Sequence, residues 1–231
     1  MRSEKFIHGK KCYIYENSDA DIFLIQPVAK HDLTVLDREA EIIKELTHNT
    51  PFTLVSFLIE DWNNELSPWD TPAVFGNENF GSGAAKTLLF ITDTLLPELY
   101  STYGKKHCYL GGYSLAGLFA LWSAYQVNSF SGIAAVSPSV WFPCWKDYMK
   151  SNAIQTPAVY LSLGEKEEKT RNRIMSSVGD NIRSQYDLLC NTATIKRCML
   201  EWNQGNHFVD SERRTAKGFA WLLNSQNCCN A

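Results

Sequence analysis

No run of apolar residues in this chain approaches the length that a membrane-spanning helix needs, so a membrane partner is not expected. Basic residues are not in excess either. The 22 Lys and Arg against 25 Asp and Glu leave a formal charge of −3, and no stripe of Lys and Arg with interleaved aromatics appears, so nucleic acid is not expected as a partner. The seven cysteines, Cys12, Cys108, Cys144, Cys190, Cys198, Cys228 and Cys229, are odd in number and lack both C-x-x-C and zinc-ligand spacing. They read as reduced thiols, with the adjacent Cys228 and Cys229 as exposed terminal ones, and no metal is expected. Met1-Arg2-Ser3-Glu4-Lys5 leads into mixed polar sequence with no apolar h-region, which sets the expectation of a cytoplasmic protein. Repeats, low-complexity segments and linkers are also lacking, so residues 1–231 read as one domain. Apolar residues make up 45%, enough to bury a substantial core without metals or disulfides.

The periodicities present alternate in kind. Cys12 to Tyr15 and Ile22 to Gln26, separated by Asn17-Ser18-Asp19, suggest an antiparallel strand pair forming one edge of a sheet. Leu36, Ala40, Ile43 and Leu46 recur at helical spacing, Asn49-Thr50-Pro51 ends that helix, and Thr53 to Ile59 reads as a buried strand. A long loop, Asp61 to Gly83, carries Trp62 and Trp69, and its aromatic content predicts order. Leu88, Ile91, Leu95 and Leu99 mark a helix that Pro97 should kink or split. Strands at Cys108 to Leu110, Gly132 to Val136, Val159 to Leu163 and Ile195 to Trp202 then alternate with helices. These follow Ser114, lie near Trp145 to Lys150, and run over about 170–189 and 211–223. This order implies an α/β architecture with a mostly parallel sheet, helices on both faces, and a site beyond the carboxyl ends of the strands.

Gly112-Tyr113-Ser114-Leu115-Ala116-Gly117 lies between a predicted strand and a predicted helix, the context of a nucleophile elbow. The turn there is so sharp that residues two before and two after the serine must be tiny. Gly112 satisfies this, and Ala116 departs from G-x-S-x-G by one methyl. A serine at this place could instead simply cap the helix. As a nucleophile it needs a base and a group that orients the base.

Hydrolases with this elbow carry serine, acid and histidine in that chain order. His8, His31, His48 and His107 precede Ser114, which leaves His207, in the loop after the last strand, as base; a surface loop histidine is the plainer reading. The acid should follow the strand Val159 to Leu163, where Glu165, Glu167 and Glu168 crowd together. Glu167 is favoured, with Glu165 and Glu168 as alternates and a Ser–His dyad possible in principle. These carboxylates also suit a helix N-terminus and i,i+4 pairs with Lys169 and Arg171. Glu201 falls inside a strand and should point to a sheet face.

Charge developing on the attacked oxygen calls for fixed donors. The Leu115 amide supplies one, and the turn at Asp61-Trp62 after the strand Thr53 to Ile59 is the candidate for the second, through Trp62. Asp61, Tyr113, Ser139 and Trp141 should border substrate. A surface anchor is the simpler role for the tryptophans.

Gly112 to Trp122 (G-Y-S-L-A-G-L-F-A-L-W) and Ser137 to Trp141 (S-P-S-V-W) resemble the esterase family related to esterase D and enterochelin esterase. Asp61 to Trp69 (D-W-N-N-E-L-S-P-W) resembles a stretch in a short bacterial branch of it. The resemblance runs over nearly the whole chain. It implies a single α/β-hydrolase domain with no large cap domain, no cofactor, and Ser114 and His207 as nucleophile and base. Relatives act on siderophore lactones, S-formylglutathione and acetylated sugars, so a small acyl ester, thioester or lactone is the expected partner. An acyltransferase on the same residues, or an inactive binding module on the same scaffold, is the alternative reading. Oligomeric state is not legible.

Overall fold

The structure, a computed structural model, describes residues 2–224; Cys228 and Cys229 lie outside the described residues. Eight strands form one sheet in the order β1-β2-β4-β3-β5-β6-β7-β8. They are β1 (Arg2–Ile7), β2 (Lys10–Tyr15), β3 (Ile22–Val28), β4 (Thr53–Leu58), β5 (His107–Tyr113), β6 (Gly132–Val136), β7 (Ala158–Gly164) and β8 (Arg197–Asn203). β1 and β2 are antiparallel, and every pairing from β4 to β8 is parallel.

The first strand pairing differs from expectation. β2 pairs with β1 and β4, while β3 lies inside the sheet between β4 and β5. The cause is legible in burial. β3 is buried at all seven positions, which suits a central strand, whereas β1 is a polar edge strand whose Phe6 stands 74% exposed, so neither periodicity nor hydrophobicity marks it.

Alternate residues of the inner strands feed two cores. Phe23, Ile25, Val55, Phe57, Leu110, Ile133, Val159 and Leu161 face one layer. Leu24, Leu54, Tyr109, Ala134, Val136 and Tyr160 face the other, the period-2 signature of a sheet covered on both sides. The first layer holds α3 (Ala84–Phe90), α4 (Leu96–Tyr103), α5 (Leu115–Gln126), α6 (Trp145–Ser151) and α8 (Val178–Cys190); the second holds α1 (Leu36–Leu46) and α9 (Ser211–Asn224). Among the described residues no helix is long and apolar enough to cross a membrane.

Local sequence explains the departures within elements. Between α3 and α4 the helix passes through a π turn, Ile91–Leu95, immediately before Pro97, so the missing proline donor is absorbed by a register change and the helical run continues. α5 is buried from Leu115 to Tyr125 on every side rather than on one face. The stretch expected as one helix over about 170–189 is α8 preceded by the short α7 (Arg173–Ser176), which Asn172 caps through Ile174 and Met175. The long loop is ordered: α2 (Trp62–Glu65) opens it, Thr71 pairs with Phe80, and the Trp69 indole donates to the Pro143 carbonyl at 3.0 Å.

Candidate active site

At the end of β5 the chain turns into α5 with Ser114 at φ 60° and ψ −121°, a conformation rare for a residue with a side chain. The turn is held by the Ser114 amide on the Val136 carbonyl and by the Ser139 amide on the Ser114 carbonyl, both at 3.0 Å. A Cβ on Gly112 would stand 2.6 Å from that of Ala116. One of the pair must therefore be glycine, and because Gly112 is, Ala116 fits. The Ser114 side chain makes no cap on its helix. Its Oγ instead lies 3.0 Å from His207 Nε2, with the buried Ser139 hydroxyl 3.5 Å away.

His207 Nδ1 is 2.7 Å from Glu167 Oε2. Glu167 sits just past β7, in a 3-10 turn over Glu167–Lys169, with a side chain only 5% exposed. Its other oxygen, Oε1, accepts from the Gly164 amide at 2.7 Å, the Ser137 hydroxyl at 2.8 Å and Arg214 Nη1 at 3.1 Å. Burial pushes this carboxyl up, but the hydrogen bond and charge of His207, the Ser137 hydroxyl and the Gly164 amide outweigh it and hold it below its ordinary value. Glu167 is thus a carboxylate near neutral pH and can only accept. The proton of a neutral imidazole then resides on Nδ1, which leaves Nε2 facing Ser114 as the acceptor.

The neighbouring carboxylates part company with it. Glu168 is held bidentately by Arg183 at 2.8 and 3.0 Å, and Glu165 is exposed. Glu201 lies on a sheet face, where it accepts from Tyr160 at 2.6 Å and pairs with Lys217. The geometry therefore brings together Ser114, His207 and Glu167.

Arg214, on α9, is the residue that sequence reasoning missed. It is 2% exposed, and its guanidinium reaches the Glu167 carboxylate, the Tyr113 hydroxyl at 3.2 Å and the Ser137 hydroxyl at 3.4 Å. Nη2 donates to the Gln204 and Asn206 carbonyls at 2.8 and 3.0 Å, which fastens the loop carrying His207. Tyr113 completes the fastening by donating to the His207 carbonyl at 2.8 Å. A Cβ at Gly164 would meet the Gly205 carbonyl at 2.7 Å and crowd the Glu167 and Arg214 side chains, so this junction of acid, base loop and cation requires glycine. In sequence, Arg214 is one basic residue of an amphipathic helix, and no local pattern sets it apart.

The remaining site residues fall in different places. The Leu115 amide opens α5 and donates to no other group among the described residues. The Trp62 amide opens α2 and is likewise unengaged, while Asp61, expected at the substrate, caps that helix by accepting from the Asn64 amide at 3.2 Å. β3 rather than β4 adjoins β5, so the turn after β3 is one strand nearer the elbow than Trp62 is; there the Ala29 amide donates to Asp32 at 2.8 Å. Trp62 and Tyr113 nevertheless border one small cavity of about 30 Å³. Tyr113, expected to touch substrate, has its hydroxyl committed to His207 and Arg214. Trp141 is 8% exposed and packs edge-on beneath Phe75, which is 49% exposed. Phe208, 89% exposed, lies edge-on to the His207 ring at 5.5 Å. Among the described residues no cluster of His, Cys, Asp and Glu could hold a metal.

An elbowed serine at the carboxyl end of a central parallel strand, facing an imidazole that a carboxylate orients, defines the α/β-hydrolase class. The family model described as "Putative esterase" matches residues 38–199, more than half of the chain, and the chain belongs to that family of carboxylic-ester hydrolases. Solved structures share the fold at low identity. The siderophore hydrolase EstA from Aspergillus nidulans is 17% identical, with a TM-score of 0.72 over 94% of this chain and 90% of that one. An IroE-like serine hydrolase from Shewanella oneidensis is 15% identical, with a TM-score of 0.79 over 96% of this chain and 80% of that one. The enterobactin esterase FES from Shigella flexneri is 14% identical, with a TM-score of 0.69 over 98% of this chain and 60% of that one. A comparison with curated proteins finds no match.

Proposed function

We propose that the chain hydrolyses a small carboxylic ester, thioester or lactone through an acyl-enzyme on Ser114. The observation that carries this reading is the continuous line from Ser114 Oγ to His207 Nε2 at 3.0 Å and from Nδ1 to Glu167 at 2.7 Å. His207 takes the hydroxyl proton as Oγ attacks the acyl carbon, and Glu167 stabilises the imidazolium that forms. The tetrahedral oxygen is held by the Leu115 amide, with the Trp62 amide as the second donor. The imidazolium then protonates the leaving group, and in the second half-reaction the neutral imidazole so regenerated takes a proton from water as it attacks the acyl-serine.

Phe208, exposed and edge-on to the His207 ring, gives the site an apolar, aromatic edge, which favours substrates with an apolar acyl or leaving group over small polar ones. Asp61 and Tyr113 act here through the backbone and loop they hold, and Ser139 through the elbow. A single domain over 1–231 is supported by the one sheet running from Arg2 to Asn203. A cytoplasmic setting is supported by the five described cysteines all being free.

A fluorophosphonate probe should label the wild-type protein and not Ser114→Ala, with p-nitrophenyl ester turnover lost in the same variant. His207→Ala should cost about a thousandfold or more in kcat. Turnover by Ser114→Ala at the wild-type rate would end the reading.

A further inference from the structure

Five cysteines fall within the described residues, and two of them face each other at a place remote in function from Ser114. Cys190 is the last residue of α8 and Cys198 the second of β8, and their sulfurs stand 3.2 Å apart. A disulfide requires about 2.05 Å, so closure needs an approach of roughly 1 Å.

The approach is built in by a rigid connection. Thr192 caps the end of α8 through its amide on Leu189 and its hydroxyl on Leu188. The Ile195 amide returns to Thr192, the Thr194 hydroxyl donates to Ile154 at 3.2 Å, and the Lys196 and Arg197 amides both donate to the Pro157 carbonyl. Every residue needed to keep the two thiols facing is thus tied to α8 or to the segment entering β7.

The other described thiols lack this arrangement. Cys12 and Cys108 are buried, and burial pushes each up to about 11, which makes them poor nucleophiles; Cys144 is exposed with no second thiol beside it among the described residues. Cys190 is exposed and Cys198 half-buried, so an oxidant reaches one sulfur while the second waits behind it.

We infer that Cys190 and Cys198 form a reversible oxidation site, in which a peroxide converts the two thiols to a disulfide that staples α8 to the edge strand β8. The inference stands apart from the hydrolase reading, since no catalytic residue takes part. The Cys190 thiolate attacks one peroxide oxygen, the O–O bond breaks, and one water leaves as a sulfenic acid forms. Cys198 then attacks that sulfur, the S–O bond breaks, and a second water leaves with the thiol proton. Two thiols lose two electrons in total and hydrogen peroxide is reduced to two waters. Cys198 is half-buried and pushed up by burial and by the neighbouring thiol, so Cys190 reacts with the oxidant first, and the second step rests on the contact between the two sulfurs at 3.2 Å.

The test is peptide mapping of the full chain after mild hydrogen peroxide, without reductant. Trypsin cuts at Lys196 and Arg197, between the two cysteines, and so separates peptide 184–196, with Cys190, from peptide 198–213, with Cys198; neither holds another cysteine. The expected result is one cross-linked species of these two peptides, cleaved by dithiothreitol, with thermal unfolding of the oxidised protein raised by roughly 3–8 °C. Cys190→Ser should abolish both changes. Should that variant not fold, N-ethylmaleimide labelling of the wild type gives the same answer, with both sites blocked after oxidation and restored on reduction. Separate peptides carrying sulfinic acid, linkage of Cys190 to peptide 218–231, or a cross-link that leaves the unfolding temperature unmoved would each overturn the proposal.

Discussion

Two buried carboxyls lie on opposite sides of Ser114 in the sheet order, and they are kept in opposite charge states. Glu167, beyond β7, is surrounded by an amide, a hydroxyl, an imidazole and a guanidinium, and is held below its ordinary value. Glu39, on α1 over β3 and β4, is the more deeply buried of the two, receives one neutral donor, Gln26 Nε2 at 2.7 Å, and faces Asp32 and Glu212. Burial pushes it up to about 8. Burial pushes both carboxyls up, and the donors and charge gathered around Glu167 outweigh it where the single donor at Glu39 does not. The side so furnished is the one that the proposed mechanism asks to stabilise an imidazolium.

The largest effect should come from removing charge where it is furnished. Glu167→Gln keeps the shape of the side chain but cannot balance the imidazolium, and kcat is expected to fall by about 10³–10⁴ at pH 7 in ester turnover. A loss below tenfold would reduce the site to a Ser–His pair and dissolve the contrast.

From the other side of Ser114, the Trp62 amide can be removed cleanly. Trp62 is the first residue of α2, where proline is tolerated, and Asp61 before it, at φ −114° and ψ 87°, lies outside the α region that a following proline disfavours. Trp62→Pro should fall about 10²–10³ in kcat below Trp62→Ala. Equal rates for the two would move the second donor to the turn after β3.

Arg214→Lys tests the furnishing itself. Lysine keeps the charge but cannot reach Glu167 and both loop carbonyls together, so a loss of roughly tenfold to a hundredfold is expected, by analogy with outer-shell partners elsewhere. Arg214→Met should in addition move the acid limb of kcat/KM to higher pH, because a carboxylate without its cation protonates more readily. A purely structural residue would lower the unfolding temperature and leave the pH profile in place.

The smallest effect on activity, within about twofold, is expected at Glu39, and there the readout is stability. Its folded value lies above the unfolded value of about 4.3, so the native state binds the extra proton between about 4.3 and about 8 and loses stability as pH rises through that window. Glu39→Gln should melt higher than wild type, with a gap that widens from pH 5 to pH 8. A gap independent of pH would mean that Glu39 is already charged.

Much of this was legible in the sequence because it is written locally. The elbow depends on Gly112, Ser114 and Ala116, and chain order leaves a single histidine after it. The choice among Glu165, Glu167 and Glu168 rested on which one faces back across the sheet, a property of the Gly164 junction, and sequence could only rank them. Arg214 escaped because its partners lie 8 to 101 residues away, and a buried guanidinium looks like any helix surface charge until the helix is placed. The strand order around β3 escaped as well, because β1 is too polar to be recognised. Because β3 lies between β4 and β5, the turn after β3 stands beside the Asp61-Trp62 turn as a second place for an oxyanion donor.

The position of Arg214 on α9 has an outcome in time as well as in space. A ribosome delivers Ser114 first, Glu167 later and the guanidinium later still, so a nascent chain that stops short of α9 can shape its elbow yet cannot anchor the acid or the histidine loop. Full reactivity is thus withheld until α9 has been made and has packed.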